Sequence, residues 1–209
     1  MSPRSTSAIV RLMSLRSQQK QMTKELLLRS AFEVFGEKGY VATKIEDIAA
    51  RAGANRATFY LHFTSKAELI AELIEQVNHL VITTDKPSLT EVVAAGDREQ
   101  IEAFFSRRFD QWGQMMPYVA IANQAADVEP EIQKAVDSWH ESAITEITNG
   151  LTRAKRFDAK VRRAKAVAAF AQLEYYSIRW FHSGGWTKAV PREAALEVLT
   201  DSWYSLLVG

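Results

Sequence analysis

The residues whose types and spacing could do chemistry fall in two places, the stretch from Thr43 to Lys66 and the surroundings of Glu174. In the first, two short helical patterns meet at a tight turn containing Gly53. That arrangement matches a helix-turn-helix, whose second helix must be short enough to enter a major groove about 12 Å wide. Ala49 is small where the two helices cross, and Gly53 permits the positive φ of the turn. Glu174 stands in Ala168–Ile178, a helical run apolar on nearly every side, so its carboxylate must be paired, protonated, or turned to water or a ligand. Catalytic patterns are missing. The histidines (His62, His79, His140, His182) form no H-E-x-x-H, and His140-Glu141 lacks the second histidine. Ser17-Gln18-Gln19-Lys20 spells S-x-x-K in a polar segment without its companion motifs. No P-loop or G-x-G-x-x-G occurs, and no cysteine is present. We expect no enzyme, no cofactor and no metal site.

The elements that must position these residues are helical throughout. Residues 1–20 lack a clear period and read as a flexible basic arm, disordered or only locally helical, whose Arg4, Arg11, Arg16 and Lys20 either have no specific role, the favoured reading, or follow a DNA backbone or minor groove. Thr23 is placed to cap a first helix whose stripe of Leu27, Leu28, Ala31, Phe32, Val34 and Phe35 ends at Gly39. Thr43–Glu46 reads as a capping box, Asn55 as the cap of the next helix, and Ser65–Glu68 as a second capping box. A softer stretch with Pro87 and Gly96 follows. Further patterns then run over 97–116, 117–127, 130–156, 160–183 and 191–208, with Gly150 weakening the third and Ser183-Gly184-Gly185 ending the fourth. The expected organisation is all-α, about nine helices: an arm (1–20), a helix-turn-helix domain (21–66), and a helical ligand-binding and dimerisation domain (67–209).

The run Gly53-Ala54-Asn55-Arg56-Ala57-Thr58-Phe59-Tyr60-Leu61-His62-Phe63-Thr64-Ser65-Lys66-Ala67-Glu68-Leu69, with Ala31–Tyr40 before it, resembles the signature of the TetR/AcrR family of transcriptional regulators. The resemblance covers about 45 residues at the family's spacings. It implies that Thr43 presents its hydroxyl and a helix N-terminus to a phosphate, and that Arg56 and Ala57 face base edges. An arginine there can read guanine O6 and N7 together. Thr58, Tyr60, His62 and Lys66 fall where the family grips the DNA backbone, and Asn55 caps its helix, contacts phosphate, or both. Phe59 and Phe63 belong to the core.

Charge agrees with that division. Residues 1–66 hold 11 basic against 5 acidic side chains, whereas the rest of the chain has an acidic excess, so the net +1 conceals a basic N-terminal third. The later helices are rich in rings, and we expect Phe105, Phe109, Trp112, Trp139, Tyr175 and Trp203, with Glu174, around a pocket for a hydrophobic small molecule. The basic run from Arg153 to Lys165 reads as a solvated turn. By resemblance the last two long helices form a homodimer interface, which a short recognition helix also requires for specificity. No run of about 18 apolar residues spans a membrane. Ile9-Val10 is too short an apolar patch for a secretory signal, so a cytoplasmic protein is expected. The reading is a ligand-responsive regulator, a repressor released from a palindromic operator. The competing reading is a helical scaffold without specific DNA binding.

Overall fold

The computed structural model describes residues 3–84, 86–181 and 190–209, with side chains over 15–79, 86–180 and 190–209. The expected stop at Ser183–Gly185, together with His182 and Trp186, lies outside the described residues, as do the side chains of Arg4 and Arg11. Among the described residues all regular structure is helical: α1 (Pro3–Lys38), α2 (Ile45–Arg51), α3 (Arg56–Tyr60), α4 (Lys66–Thr84), α5 (Leu89–Ala95), α6 (Arg98–Ala126), α7 (Pro130–Arg153), α8 (Ala159–Phe181) and α9 (Arg192–Leu207). The chain divides into two compact units, Met1–Leu73 and Ile74–Gly209, seven residues later than the sequence suggested.

In the first unit, α1 starts at Pro3, not near Thr23. The Thr23 hydroxyl donates back to the Gln19 carbonyl at 2.9 Å, the bond of a threonine inside a helix rather than at its cap. From Arg4 to Phe35 no Gly or Pro interrupts a sequence rich in Arg, Leu, Met, Gln and Lys. Extending an existing helix through such residues needs no new nucleus and no apolar stripe. The stripe begins where packing begins: Leu27, Leu28, Ala31, Val34 and Phe35 are buried, Phe32 only partly. They meet Tyr40, Ile48, Phe59, Phe63, Leu69 and Ile70 in a small core, with the Phe35 and Tyr40 rings 5.3 Å apart. Gly39 (φ 77) stops α1, its N–H bonded to the Phe35 carbonyl at 2.8 Å.

In the second unit, Ser88 and Glu91 form a capping box that opens α5 in the stretch read from sequence as soft. Two expected helices fuse into α6, which runs through Pro117. Proline removes one backbone donor, but buried Met115 before it and Ile121, Ala122 and Ala125 after it hold both halves in the core. Gly150 does more than weaken α7: a Cβ there would lie 2.6 Å from Val93 Cβ and 2.8 Å from the Thr90 carbonyl oxygen, so its bare backbone lets α5 and α7 touch. Trp203 of α9, fully buried, packs on Phe105 (4.8 Å between rings) and Phe104 (5.8 Å) and donates its indole N–H to the Ala169 carbonyl. The basic run is not simply solvated. Arg156 donates to the carbonyls of Val93 (2.7 Å), Ala94 and Ala95, closing the C-terminus of α5. Lys165 bonds the Leu206 carbonyl, and Arg163 makes a two-pronged pair with Glu141.

Candidate nucleic-acid interface and body cavity

The turn into α2 sets the first part of the interface. The cap falls on Lys44, whose N–H donates to Asp47 Oδ2 at 3.0 Å, so the Thr43–Glu46 capping box expected from sequence does not form. Thr43 is buried (2% exposed), and its hydroxyl donates to the Gly39 carbonyl at 2.7 Å. It holds the loop from inside instead of presenting a hydroxyl to a phosphate. Lys66 likewise turns inward: its ammonium donates to the carbonyls of Tyr40 (2.6 Å) and Thr43 (3.0 Å) and lies 4.1 Å from the centre of the Tyr40 ring. A cation on two carbonyls and an aromatic face clasps α4 to the α1–α2 turn. The backbone-gripping role inferred for Lys66 has this competing geometry. Two carbonyls and a ring face on one ammonium leave it little reach.

The α2–α3 turn follows the sequence reading. Gly53 sits at φ 64, and the Ala54 N–H returns to the Ala49 carbonyl at 2.8 Å. Asn55 caps α3, its Oδ1 accepting from the N–H (2.8 Å) and hydroxyl (3.1 Å) of Thr58. This commits Asn55 and Thr58 to each other. Phe59 anchors the helix in the core, which turns Arg56, Ala57 and Tyr60 outward together. Glu46, not drawn into a cap, pairs with Arg56 at 2.8 Å across the two helices. The Arg56 guanidinium also lies over the Tyr60 ring, 5.5 Å from its centre, and donates to the Tyr60 hydroxyl at 3.3 Å. The arginine is 63% exposed, extended, and fixed in direction by an aromatic plate. Lys44 carries no role in the sequence reading, and Glu46 figures there only as the acid of a capping box, not as the partner of Arg56. The signal was the expected cap, read one residue too early.

His62 is half-buried beyond α3. Its Nδ1 is buried without a hydrogen-bond partner among the described residues, and burial, with Lys20 and Lys24 nearby, holds the imidazole below the usual histidine range. It is therefore neutral near pH 7. Arg51 bridges to Glu33 and Glu37, and Lys38 to Asp47, so that opposite charges on α1 and α2 are paired.

In the second unit, a cavity of about 80 Å³, partly open to solvent, lies among α4–α8. Trp112, Trp139 and Glu174 line it as expected. Four others do not. Phe105 and Trp203 are sealed in the core against each other, Phe109 packs on Trp112 and Trp180, and Tyr175 is 55% exposed on the outside of α8. Periodicity marks them as apolar or helical but not which side of a helix faces the hole. The wall instead includes Phe104, Met115, Met116 and Phe170, with Arg108 and Glu146 as further charged groups. Glu174 accepts from His140 Nε2 at 3.0 Å, so it is both paired and on the wall. No cluster of metal-ligating side chains occurs among the described residues, and none of their helices is long and apolar enough to cross a membrane.

Residues 27–73 match the family model described as bacterial regulatory proteins, tetR family. The chain is 31% identical over 181 residues to the transcriptional activator FasR of Mycolicibacterium smegmatis, spanning 82% of this chain and 76% of that protein. It is 38% identical over 52 residues to the HTH-type regulator YerO of Bacillus subtilis, only 18% of that protein's length. Among solved structures it resembles NalD, the secondary repressor of the MexAB-OprM multidrug efflux pump in Pseudomonas aeruginosa, with a TM-score of 0.65 at 18% identity over 90% of this chain and 98% of that one.

Proposed function

Because this chain belongs to the TetR family of bacterial transcriptional regulators, we propose that α3 reads operator DNA in the cytoplasm and that a hydrophobic small molecule in the body cavity controls the reading. The observation that carries this is the outward face Arg56–Ala57–Tyr60, held rigid by buried Phe59 and by the Tyr60 plate. Ala57 leaves room for a base edge, and Arg56 supplies paired donors for guanine. Thr43 and Lys66 support this face from inside, while Asn55, Thr58 and His62 stand close enough in sequence to touch neighbouring phosphates. Exposed Val161, Val167 and Tyr175 on α8, with Val198 and Tyr204 on α9, are apolar surface suited to pairing with a second copy. A homodimer through these helices would place two readers on a palindrome.

Helix α4 runs unbroken from the Lys66 clasp to Thr84, and its Asn78 lines the cavity. A ligand that favours one placement of α4 changes DNA affinity only by its differential affinity for the two states. We take the operator-bound protein to repress by occupancy. A second reading, activation, is favoured by the function in FasR's name.

The test is fluorescence anisotropy on operator fragments selected from random DNA, comparing wild type with Arg56→Ala across a salt series. We expect a palindrome, a steep salt slope, and a loss of roughly 1–3 kcal/mol at one base position in the variant. If no sequence is enriched, or the variant binds identically, α3 is no reader and the chain is a helical scaffold. Transcription from a promoter carrying the selected site, falling or rising with added protein, separates repression from activation.

A further inference from the structure

An acid from α2 reaches the face that Arg56, Ala57 and Tyr60 turn outward. Two carboxylates occupy the first turn of α2, and they are engaged differently. Asp47 is tied within the protein, pairing with Lys38 at 2.7 Å and accepting from the Lys44 N–H. Glu46 engages Arg56: its Oε1 accepts from Nη1 at 2.8 Å, and its Oε2 takes no bond from the described residues. Both partners are more than half exposed, so the pair contributes little to stability. What it sets is direction. Glu46 holds the guanidinium from α2, while Nη2 donates to the Tyr60 hydroxyl one turn further along α3, at 3.3 Å. The guanidinium still has donors to spare beyond these two bonds.

In a basic N-terminal third, an exposed carboxylate beside the reading residues runs against attraction to phosphate. A base edge meets it favourably only where it donates, and the amine that suits a carboxylate in the major groove is cytosine N4. Resting on the reading of α3 as the DNA reader, we propose that Glu46 is a specificity-determining residue of that reader. With Arg56 on guanine O6 and N7, the Glu46 carboxylate accepts from cytosine N4 on the adjoining base pair. On other sequences the same carboxylate finds no donor and is left among phosphates, so it weakens binding there.

Fluorescence anisotropy tests this with three kinds of duplex: the palindrome selected from random DNA, its single-base-pair variants, and a scrambled duplex of equal length. The proteins are wild type, Glu46→Ala and Glu46→Gln, with circular dichroism to show that each is folded. In both variants we expect the scrambled duplex to bind about threefold more tightly, because a negative charge has gone. The preference for cytosine beside the guanine read by Arg56 should fall about tenfold in Glu46→Ala. Base preferences equal to wild type, or a scrambled duplex bound no more tightly, overturn the proposal and leave Glu46 a solvated partner of Arg56. If Arg56→Ala relaxes one position and Glu46→Ala relaxes none, this inference alone falls. If wild type enriches no sequence, reading by α3 falls and takes this inference with it.

Discussion

The recognition region and the body are each held by bonds of a different reach. Around α3 the fixing bonds join near neighbours in sequence: Asn55 to Thr58, Thr43 to Gly39, Arg56 to Glu46. In the body, Arg98 bonds Asp201, Arg192 bonds Ser106 and Asp110, Arg156 bonds Val93, and Thr90 bonds the Glu146 carbonyl, closing loops of 56 to 103 residues. The α3 face, fixed by bonds of short reach, carries its geometry in a short motif. A unit held by distant ones carries it in packing, which many sequences can satisfy.

The sharpest way to break this contrast is to remove one ring from the body. Trp203→Ala deletes a fully buried side chain and its bond to Ala169, and should cost about 3–5 kcal/mol in urea denaturation of the body. If the variant lost little, the polar bridges and not the packing would carry the geometry of the body. A smaller effect sharpens it on the other side. Lys66→Met keeps the alkyl stem but removes the donors to Tyr40 and Thr43, and should cost about 1–3 kcal/mol of stability with the salt slope of DNA binding unchanged. A slope lower by about one with stability intact would instead return Lys66 to the phosphate backbone.

The smallest effect concerns pH. Hydrogen bonds from the Thr64 hydroxyl and N–H hold the Glu68 carboxyl below its ordinary value of 4.5. A depressed carboxyl contributes stability above its unfolded pKa and loses it as pH falls through the folded one. Because the group is largely exposed, Glu68→Gln should destabilise by less than about 1 kcal/mol at pH 6, with the difference fading below about pH 4.5. A difference that did not shrink as the pH fell below about 4.5 would show that Glu68 acts by shape and not by charge.

What could be read without the structure follows the same line. The Gly53 turn, the Asn55 cap and the burial of Phe59 obey rules about one or two turns of chain, and the fold class follows from the helical period. Arg56 and Lys66 look alike in sequence, yet one is extended over Tyr60 and the other buried in carbonyls. The difference is made by Tyr40, folded back to Lys66 from 26 positions earlier. In α6, buried Phe104, Phe105, Phe109, Trp112 and Met115 cover more than one side of the helix, so period alone assigns none of them to the cavity. The error over α1 has another origin. A missing apolar stripe reports a missing neighbour, and was read as a missing helix.

Gly150 gives the cavity a means of changing that never involves its lining. A single methyl at that position would meet Val93 and push α5 from α7, and Leu89 of α5 and Ala143 and Glu146 of α7 both belong to the wall. The width of the chamber is thus a heritable quantity adjustable from outside it. Two lineages with identical wall residues could diverge in the bulk of the molecules they answer to through one substitution at this crossing, which no comparison of lining residues would reveal.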